Sequence, residues 1–416
     1  MKTYCKPAQV DIEDLEFIKP AVHLCFAGKL RKHQFQRLLI CTGKISKAEL
    51  MQDLAAQDMN RILVAIDAVA VDMVTRIRER NLRLPPVRQF RRMDGTNGKI
   101  RDICQESPEQ QILEYIAKYS LDPLFRAKIL HCQNGSIPNR GQEGAKRSNQ
   151  RLMNKFKGKL ESVQCDVRKA YPSTTIETVM MLLRRDIGKN KPLLWLVEAI
   201  MKNYPGGVLL IGGYLSCWLF NYVMSYILRY LLAQEKVRRG KRLPMVWGLT
   251  NYADDFVAFG QISNLVRAVK KTTKWAKDTL GLEIKSVWAI NHLADYSTEK
   301  RYRKANAQGC RKRTPGVDMV GYVVRRTYTI VRGRTFIRFR RQFIRGSRDL
   351  TRLGYIPWWR AQVIIAGWGW IKNSNSRRFC KKYNAYEIVR AAKHSVSWYA
   401  RRQNLYGKLY FKAAAC

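Results

Sequence analysis

NYADDFVAF, residues 251–259, sets two adjacent carboxylates, Asp254 and Asp255, inside an otherwise apolar segment. The pattern predicts a hairpin through Val246 to Phe259 with its turn near Tyr252-Ala253-Asp254-Asp255. Two carboxylates in such a setting are costly unless a cation neutralises them. Oxygen ligands on a strand end suit magnesium, with manganese as a substitute. A further acid is then expected on a neighbouring strand. LESVQCD, residues 160–166, reads as a short strand ending on Asp166, 88 residues before Asp254. Taken alone, an Asp-Asp pair is also consistent with an ordinary β-turn.

Working outward, Thr175 to Arg185 and Tyr214 to Leu232 read as helices. A basic amphipathic helix is expected over Ser263 to Leu280 and a strand over Leu282 to Trp288. Asp318 to Phe339 has β character in three runs: MVGYVV, TYTIVRG and TFIRFRR. Residues 326–348 alternate basic and apolar side chains, which predicts strands with cations on one face. Towards the N-terminus, SPEQQILEYIAKY from Ser107 has an N-cap serine, Pro108 at the first helical position and Gln110 three residues after the cap. Residues 87–105 look extended and basic around a turn at Asp94-Gly95, and residues 134–140 read as loop. Ser46 to Arg80 has apolar residues near helical spacing behind a capping serine, so one long helix is expected, broken by Leu84-Pro85-Pro86. After Ile356 the chain turns helical and rich in Trp, Lys and Arg, with most tryptophans expected in a core.

The 416 residues carry 77 Lys plus Arg against 32 Asp plus Glu, a formal net charge of +45. Such an excess calls for a polyanion, and the spread of basic residues along the chain favours nucleic acid over a membrane surface. No two of the ten cysteines form a C-x-x-C pair and the five histidines complete no zinc pattern, which points to free thiols in a reducing, cytoplasmic setting. Val208 to Leu228 is uncharged and long enough to span a bilayer. Its Gly212, Gly213, Ser216, Asn221 and Ser225 fit a buried helix behind a glycine turn more simply.

Over residues 85–335 the chain resembles the reverse transcriptase family, and the matching motifs run in order. Lys99-Ile100-Arg101 resembles the basic fingers strand that holds the triphosphate. Asp166 with Tyr171 resembles the first palm motif, in which the acid binds metal and the aromatic residue filters ribose. IGGYLSCWLFN, residues 211–221, resembles the motif whose glycine and serine support template and incoming nucleotide, here Gly212 and Ser216. Tyr252 to Asp255 matches the YxDD box, Lys285 resembles the lysine after the second palm helix, and MVGYVV resembles the primer-gripping hairpin, with Gly321 and Tyr322. The resemblance implies an α+β right-hand polymerase fold: an N-terminal helical region over 1–82, fingers and palm over 83–335, and a basic helical thumb over 336–416. It implies two magnesium ions on Asp166, the Val167 backbone, Asp254 and Asp255, with deoxynucleotides as substrates.

Within that family the chain lacks the histidine or cysteine pattern of a homing nuclease and the length for a ribonuclease H domain. GGYLSC resembles the G-x-x-x-S-Q motif of bacterial diversity-generating retroelement enzymes, with Cys217 in place of glutamine. The expectation is an enzyme copying a dedicated structured noncoding RNA into DNA, as a free strand or an RNA–DNA hybrid. The extra N-terminal helical region and the Cys217 departure favour bacterial antiphage defence as the expected setting, with sequence diversification as the alternative. A homo-oligomer or an accessory protein remains open, as do a non-catalytic RNA-binding scaffold and an RNA polymerase on the same palm.

Overall fold

The computed structural model describes residues 4–93, 98, 100–307 and 314–402. Four helices open the chain: α1 (Leu15–Phe26), α2 (His33–Cys41), α3 (Lys47–Ala56) and α4 (Asn60–Arg78). The single helix expected over 46–80 is therefore two. Gln57 adopts a left-handed conformation (φ 59°) that ends α3, and the Asp58 carboxylate accepts the Asn60 amide to restart the chain. The apolar spacing resumes within α4, where Ile62, Ile66, Val69, Met73 and Ile77 are buried, so periodicity alone did not expose the break.

Strands β1 (Arg88–Met93) and β2 (Ile100–Gln105) pair antiparallel from Arg88↔Gln105 to Met93↔Ile100. The turn expected at Asp94-Gly95 falls outside the described residues, as does Lys99. Helices α5 (Pro108–Ser120), capped by Ser107 as its sequence predicts, α6 (Asp122–Lys128) and α7 (Gly141–Lys155) follow, then β3 (Leu160–Asp166). After it come α8 (Ala170–Ser173), α9 (Ile176–Ile187), α10 (Lys191–Lys202) and α11 (Tyr214–Leu232). Helix α11 is buried on most sides, and among the described residues no helix is long and apolar enough to cross a membrane. A two-stranded ribbon, β4 (Glu235–Arg238) and β5 (Lys241–Pro244), leads into β6 (Gly248–Tyr252), β7 (Asp255–Gly260), α12 (Ile262–Leu280) and β8 (Ala289–Leu293).

Strands β6, β7, β3 and β8 form one antiparallel sheet in that order. Alternation along β3 and β7 splits its side chains between two faces. Val163, Cys165, Phe256 and Ala258 share a core with Leu265, Ala268, Val269 and Ala276 of α12. Leu160, Val257 and Phe259 pack on the opposite face with Ala145 and Met153 of α7. Leu282 to Trp288 is not a strand: Ile284 alone bridges to Val167, Val287 is exposed, and the edge strand is β8.

Beyond α13 (Tyr296–Ala307), strands β9 (Val317–Met319), β10 (Tyr322–Val324) and β11 (Thr329–Val331) make a small sheet whose Val317, Met319, Tyr322 and Val324 complete the α7 core. The third β run is a helix instead. TFIRFRR lies in α14 (Gly333–Leu353), where Phe336, Phe339, Phe343, Gly346 and Leu350 recur at three- and four-residue steps. That longer period outweighs the local basic–apolar alternation. Helices α15 (Trp358–Lys372), α16 (Arg377–Lys382) and α17 (Ala385–Arg402) close a separate core around Phe343, Ile364, Phe379 and Ile388. Trp368 and Trp370 pack against it, whereas Trp358 and Trp359 are exposed, contrary to the expected core role.

Among the described residues, Arg326 is the largest fully buried side chain. Its guanidinium donates to the carbonyls of Ala294 (2.7 Å) and Gly158 (2.6 Å), and also to those of Met153 and Phe156. It thereby ties the end of α7 to the end of β8. Replacing Arg326 with methionine leaves these four carbonyls without their donor. A loss of at least about 2 kcal/mol is expected, read as a lower urea midpoint.

Candidate active site

Apolar residues on both faces of the sheet pull β6 and β7 inward, so their connecting turn is held at the rim. Tyr252 pairs with Asp255 across the turn, and Ala253 takes a positive φ of 53° within it. Asp255 in turn lies directly opposite Asp166 of β3. Cross-strand partners project from the same face, so both carboxylates sit on the face shared with α7 and the small sheet. The Val167 amide donates to the Asp254 carbonyl at 3.2 Å, which draws the third acid to the same corner.

A loop that the sequence marked only as irregular holds this turn from behind. The Asn251 amide donates to the Cys132 carbonyl (2.8 Å), and the Asn134 amide donates to the Asn251 carbonyl (2.9 Å). The buried Asn251 side chain donates to the carbonyls of Ala253 (2.7 Å) and Asp255 (3.0 Å). Gly135 packs so closely that a Cβ there would stand 2.4 Å from the Ala253 nitrogen. From α11, the Asn221 side chain donates to the Gly135 carbonyl (2.9 Å) and the Gln133 side chain donates to the Asn221 carbonyl (2.7 Å). Asn-Gly-Ser at 134–136 is a turn signal in the sequence, but its partner in space cannot be read there.

Electrostatically the corner is under tension. Burial pushes the Asp255 carboxyl up to about 7, reinforced by the neighbouring charges of Asp254 and Asp166. Asp254 is raised for the same reasons, burial first and Asp166 next. Lys285 opposes both shifts; Arg101 acts on Asp254 and Arg332 on Asp255. The Lys285 ammonium lies 2.6 Å from a carboxylate oxygen of Asp166, and its amide donates to the Asp166 carbonyl (2.9 Å). Among the described residues no three His, Cys, Asp or Glu side chains converge as a preformed metal cluster. The donor chemistry nevertheless fits a hard divalent cation: neighbouring carboxylate oxygens, with Lys285 paired to Asp166 alone, beside the Val167 backbone. The Val167 side chain is buried, and the bridge to Ile284 uses the Asp166 carbonyl and the Arg168 amide, so Val167 could contribute only its carbonyl oxygen.

The other candidates fall at different distances from this corner. Arg101 is exposed on β2 and its charge reaches Asp254. Tyr171, at the start of α8, stacks on Phe220 with ring centroids 5.1 Å apart. Its ionisation is opposed by burial and then by Cys217, Asp254 and Tyr252. Gly212 has φ 106° and lies against β2, where a Cβ would meet the Cys104 carbonyl oxygen at 3.2 Å. Ser216 is fully buried and its hydroxyl accepts the Leu210 amide (3.0 Å), so it braces the glycine turn from within. The Cys217 thiol donates to the Tyr214 carbonyl.

Gly321 (φ 86°) shares the β9–β10 turn with Val320, itself left-handed at φ 50°. A Cβ on Gly321 would stand 2.6 Å from the Trp370 indole nitrogen, which donates to the Val320 carbonyl (3.1 Å). Tyr322 is buried in the core shared with α7. The hairpin reaches the corner through Arg332, whose amide donates to Gly321 and whose guanidinium pairs with Asp318 at 2.6 Å.

One further residue escaped the sequence reading. Glu114 is wholly buried in α5, and its carboxylate accepts the Leu215 amide (3.0 Å) and the Tyr204 hydroxyl (2.8 Å). It caps α11, whose N-cap is Gly213 and has no side-chain cap of its own. Burial raises its carboxyl above the usual range. An acid amid the buried Ile112, Leu113, Ile116 and Ala117 was the available signal.

The raised Asp255 carboxyl has a consequence for stability. Below the ordinary carboxylate range the group is protonated in both folded and unfolded chains. Between about pH 4 and pH 7 the unfolded chain releases the proton while the folded one keeps it, so folding weakens as pH rises; above that window the penalty is constant. Asp255→Asn in chelator should therefore melt higher than the parent by an amount that grows from pH 4 to 7 and then levels. Thermal melts across that range check it.

No family model and no curated protein matches the chain. Among solved structures it is similar to apo telomerase from Candida tropicalis truncated from its C-terminal domain, at 12% identity and TM-score 0.38, over 59% of this chain and 54% of that one. It is also similar to telomerase from Candida albicans in complex with a TWJ fragment of telomeric RNA, at 12% identity and TM-score 0.39, over 78% and 57%. The chain spans little more than half the length of either.

Proposed function

We propose that this protein is an RNA-directed DNA polymerase with its reaction centre at Asp166, Asp254 and Asp255. The observation that carries the reading is the strand register that sets Asp166 opposite Asp255 with Asp254 in the adjoining turn. In this reading β1 and β2 belong to the fingers, the four-stranded sheet to the palm and α14 to α17 to the thumb. Two magnesium ions on Asp166, Asp254, Asp255 and the Val167 carbonyl would supply Lewis-acid activation of the attacking hydroxyl and charge neutralisation on pyrophosphate.

The remaining roles belong to the chain itself. Arg101, together with Lys99, offers positive charge to a nucleoside triphosphate. To Tyr171, fixed by its stack on Phe220, we assign the exclusion of a ribose 2′-hydroxyl. Gly212 lets backbone approach a base pair, and Ser216 keeps that turn in shape. Lys285 is the proton source for the departing pyrophosphate and is oriented by Asp166. Gly321 and Tyr322 set the hairpin under the primer end.

Holding the template–product duplex falls to α14. Arg334, Arg338, Arg341, Arg345, Arg348 and Arg352 are all exposed and recur at alternating steps of four and three, opposite Phe339, Phe343 and Gly346. The track is about 27 Å long at the helical rise, and its guanidinium groups suit phosphate. The template we assign is a structured noncoding RNA, with antiphage defence as the setting. Cys217 in the glycine motif and the four N-terminal helices support that setting over diversification.

Purified protein given a structured RNA template, magnesium and deoxynucleotides should make DNA. Asp254→Ala with Asp255→Ala should abolish the product, and synthesis surviving that change would remove the mechanism. Tyr171→Ala should admit ribonucleotides, lowering the discrimination in kcat/KM by at least about tenfold, measured by single-nucleotide extension with each sugar.

A further inference from the structure

We infer that a second RNA-binding surface lies on the back of the four-stranded sheet, formed by the outer face of α12 and the β4–β5 ribbon, and that it takes the phosphate backbone of a helical RNA segment. The inference rests on the polymerase reading for the choice of RNA, and it names a contact which that reading does not need.

The location follows from the two faces of the sheet. Asp166 and Asp255 project towards α7 and the small sheet, whereas α12 covers the opposite face. The ribbon joins the sheet where β6 begins, at the end away from the acidic turn. The five residue steps from Asp255 to Gly260 put it about 17 Å along the strands from that turn. Nucleic acid on this surface is therefore not the duplex being extended.

The surface itself is built from two elements in contact. On α12, Arg267, Lys270, Lys271, Lys274 and Lys277 are exposed along one stripe, while Leu265, Ala268, Val269, Thr272 and Ala276 are buried opposite them. On the ribbon, Arg238, Arg239, Lys241 and Arg242 are exposed around a two-residue turn in which Arg239 and Gly240 both have positive φ. Lys236 reaches from β4 to the Asn264 side chain near the start of α12 (3.3 Å), which makes the two one surface. Two acids lie on these elements: Glu235, 3.9 Å from Arg242, and Asp278 near the end of α12. Ten cations, Lys236 included, against two acids leave a strong local excess.

The ribbon supplies an independent reason to expect a partner. Two four-residue strands joined to no third strand are marginal in water. Every ribbon residue except Lys236 is exposed, including Val237 at 71%. Such a ribbon gains order by lying against something, and its charge selects a polyanion. Lysines at one-turn spacing are compact point charges that neutralise phosphates without reading bases. A folded RNA, which presents helical backbone on several sides, can engage this surface while another part of it occupies the reaction centre.

The test uses two charge-reversal variants of the full chain, Arg238→Glu/Arg239→Glu/Arg242→Glu and Lys270→Glu/Lys271→Glu/Lys274→Glu, with melting curves confirming that each folds. The first measurement is binding of a blunt RNA hairpin of about 16 base pairs across a salt series. The second is extension of a short DNA primer on an RNA template. Each variant should bind the hairpin at least about tenfold more weakly, with the slope of log K against log salt reduced by about 2–3, and should extend the short primer at the parent rate. Unchanged hairpin affinity would overturn the inference. So would extension falling in step with binding, or a loss confined to phosphatidylserine vesicles with hairpin binding intact. Because hairpin binding requires no catalysis, weaker binding by variants of a protein that makes no DNA would sink the polymerase reading and leave this surface standing.

Discussion

The centre of this molecule is organised by the need to keep the half-buried Asp254 and Asp255 beside the partly exposed Asp166. Like charges in a desolvated corner repel, and nothing about Asp254 or Asp255 alone would hold them there. The register of β3 against β7 does so, because a one-residue slip would turn Asp166 and Asp255 to opposite faces. That register is in turn fixed by the apolar sets on the two faces, one under α12 and one against α7. The amide groups of Asn251, Gln133, Asn134 and Asn221 then lock the turn to the neighbouring loop. These side-chain amide donors all find carbonyl acceptors, which makes the backing loop as consequential as the acids.

How much of this the sequence could convey depended on the range of the interaction. Helix α11 and strand β3 follow their sequence signals because a long uncharged run behind a glycine turn decides the one and a short alternating run the other. Helix α3 ends at Gln57, a residue with no strong preference to stop, and its break is invisible to periodicity. Helix α14 was misread as strand because basic–apolar alternation over a few residues imitated a period of two, while the Phe336–Phe339–Phe343 steps carried the true one. The strand expected over 282–288 sat one segment too early. Lys285 belongs to a short bridge beside Asp166, and the paired strand starts at Ala289. The acids themselves were legible as residues, since a charge in an apolar run announces itself. The contacts of Gly135, Glu114 and Lys285 were not, because each depends on a partner remote in the chain.

The basic excess is not spent uniformly. Some cations are taken up by partners within the chain: Arg326 by four carbonyls, Lys285 by Asp166 and Lys128 by Asp186. Others lie in ordered stripes, on α14 and on α12, where a helix aligns them by its own geometry. A chain so charged repels itself when compact. The two stripes place much of that repulsion on outward faces, where a bound polyanion would relieve it.

The seating of the C-terminal helices bears on the first of those stripes. Trp370 grips the Val320 carbonyl in a turn with no room for a side chain at Gly321. Three residues past the end of α15, Asn375 exchanges bonds with both the amide and the carbonyl of Thr329, and Lys146 binds the carbonyl of Asn373. These contacts act as a keyway: sliding the bundle by one helical turn would break all of them at once. The arginine track therefore keeps a set bearing towards the acidic corner, and changing that bearing requires the whole latch to open as a unit.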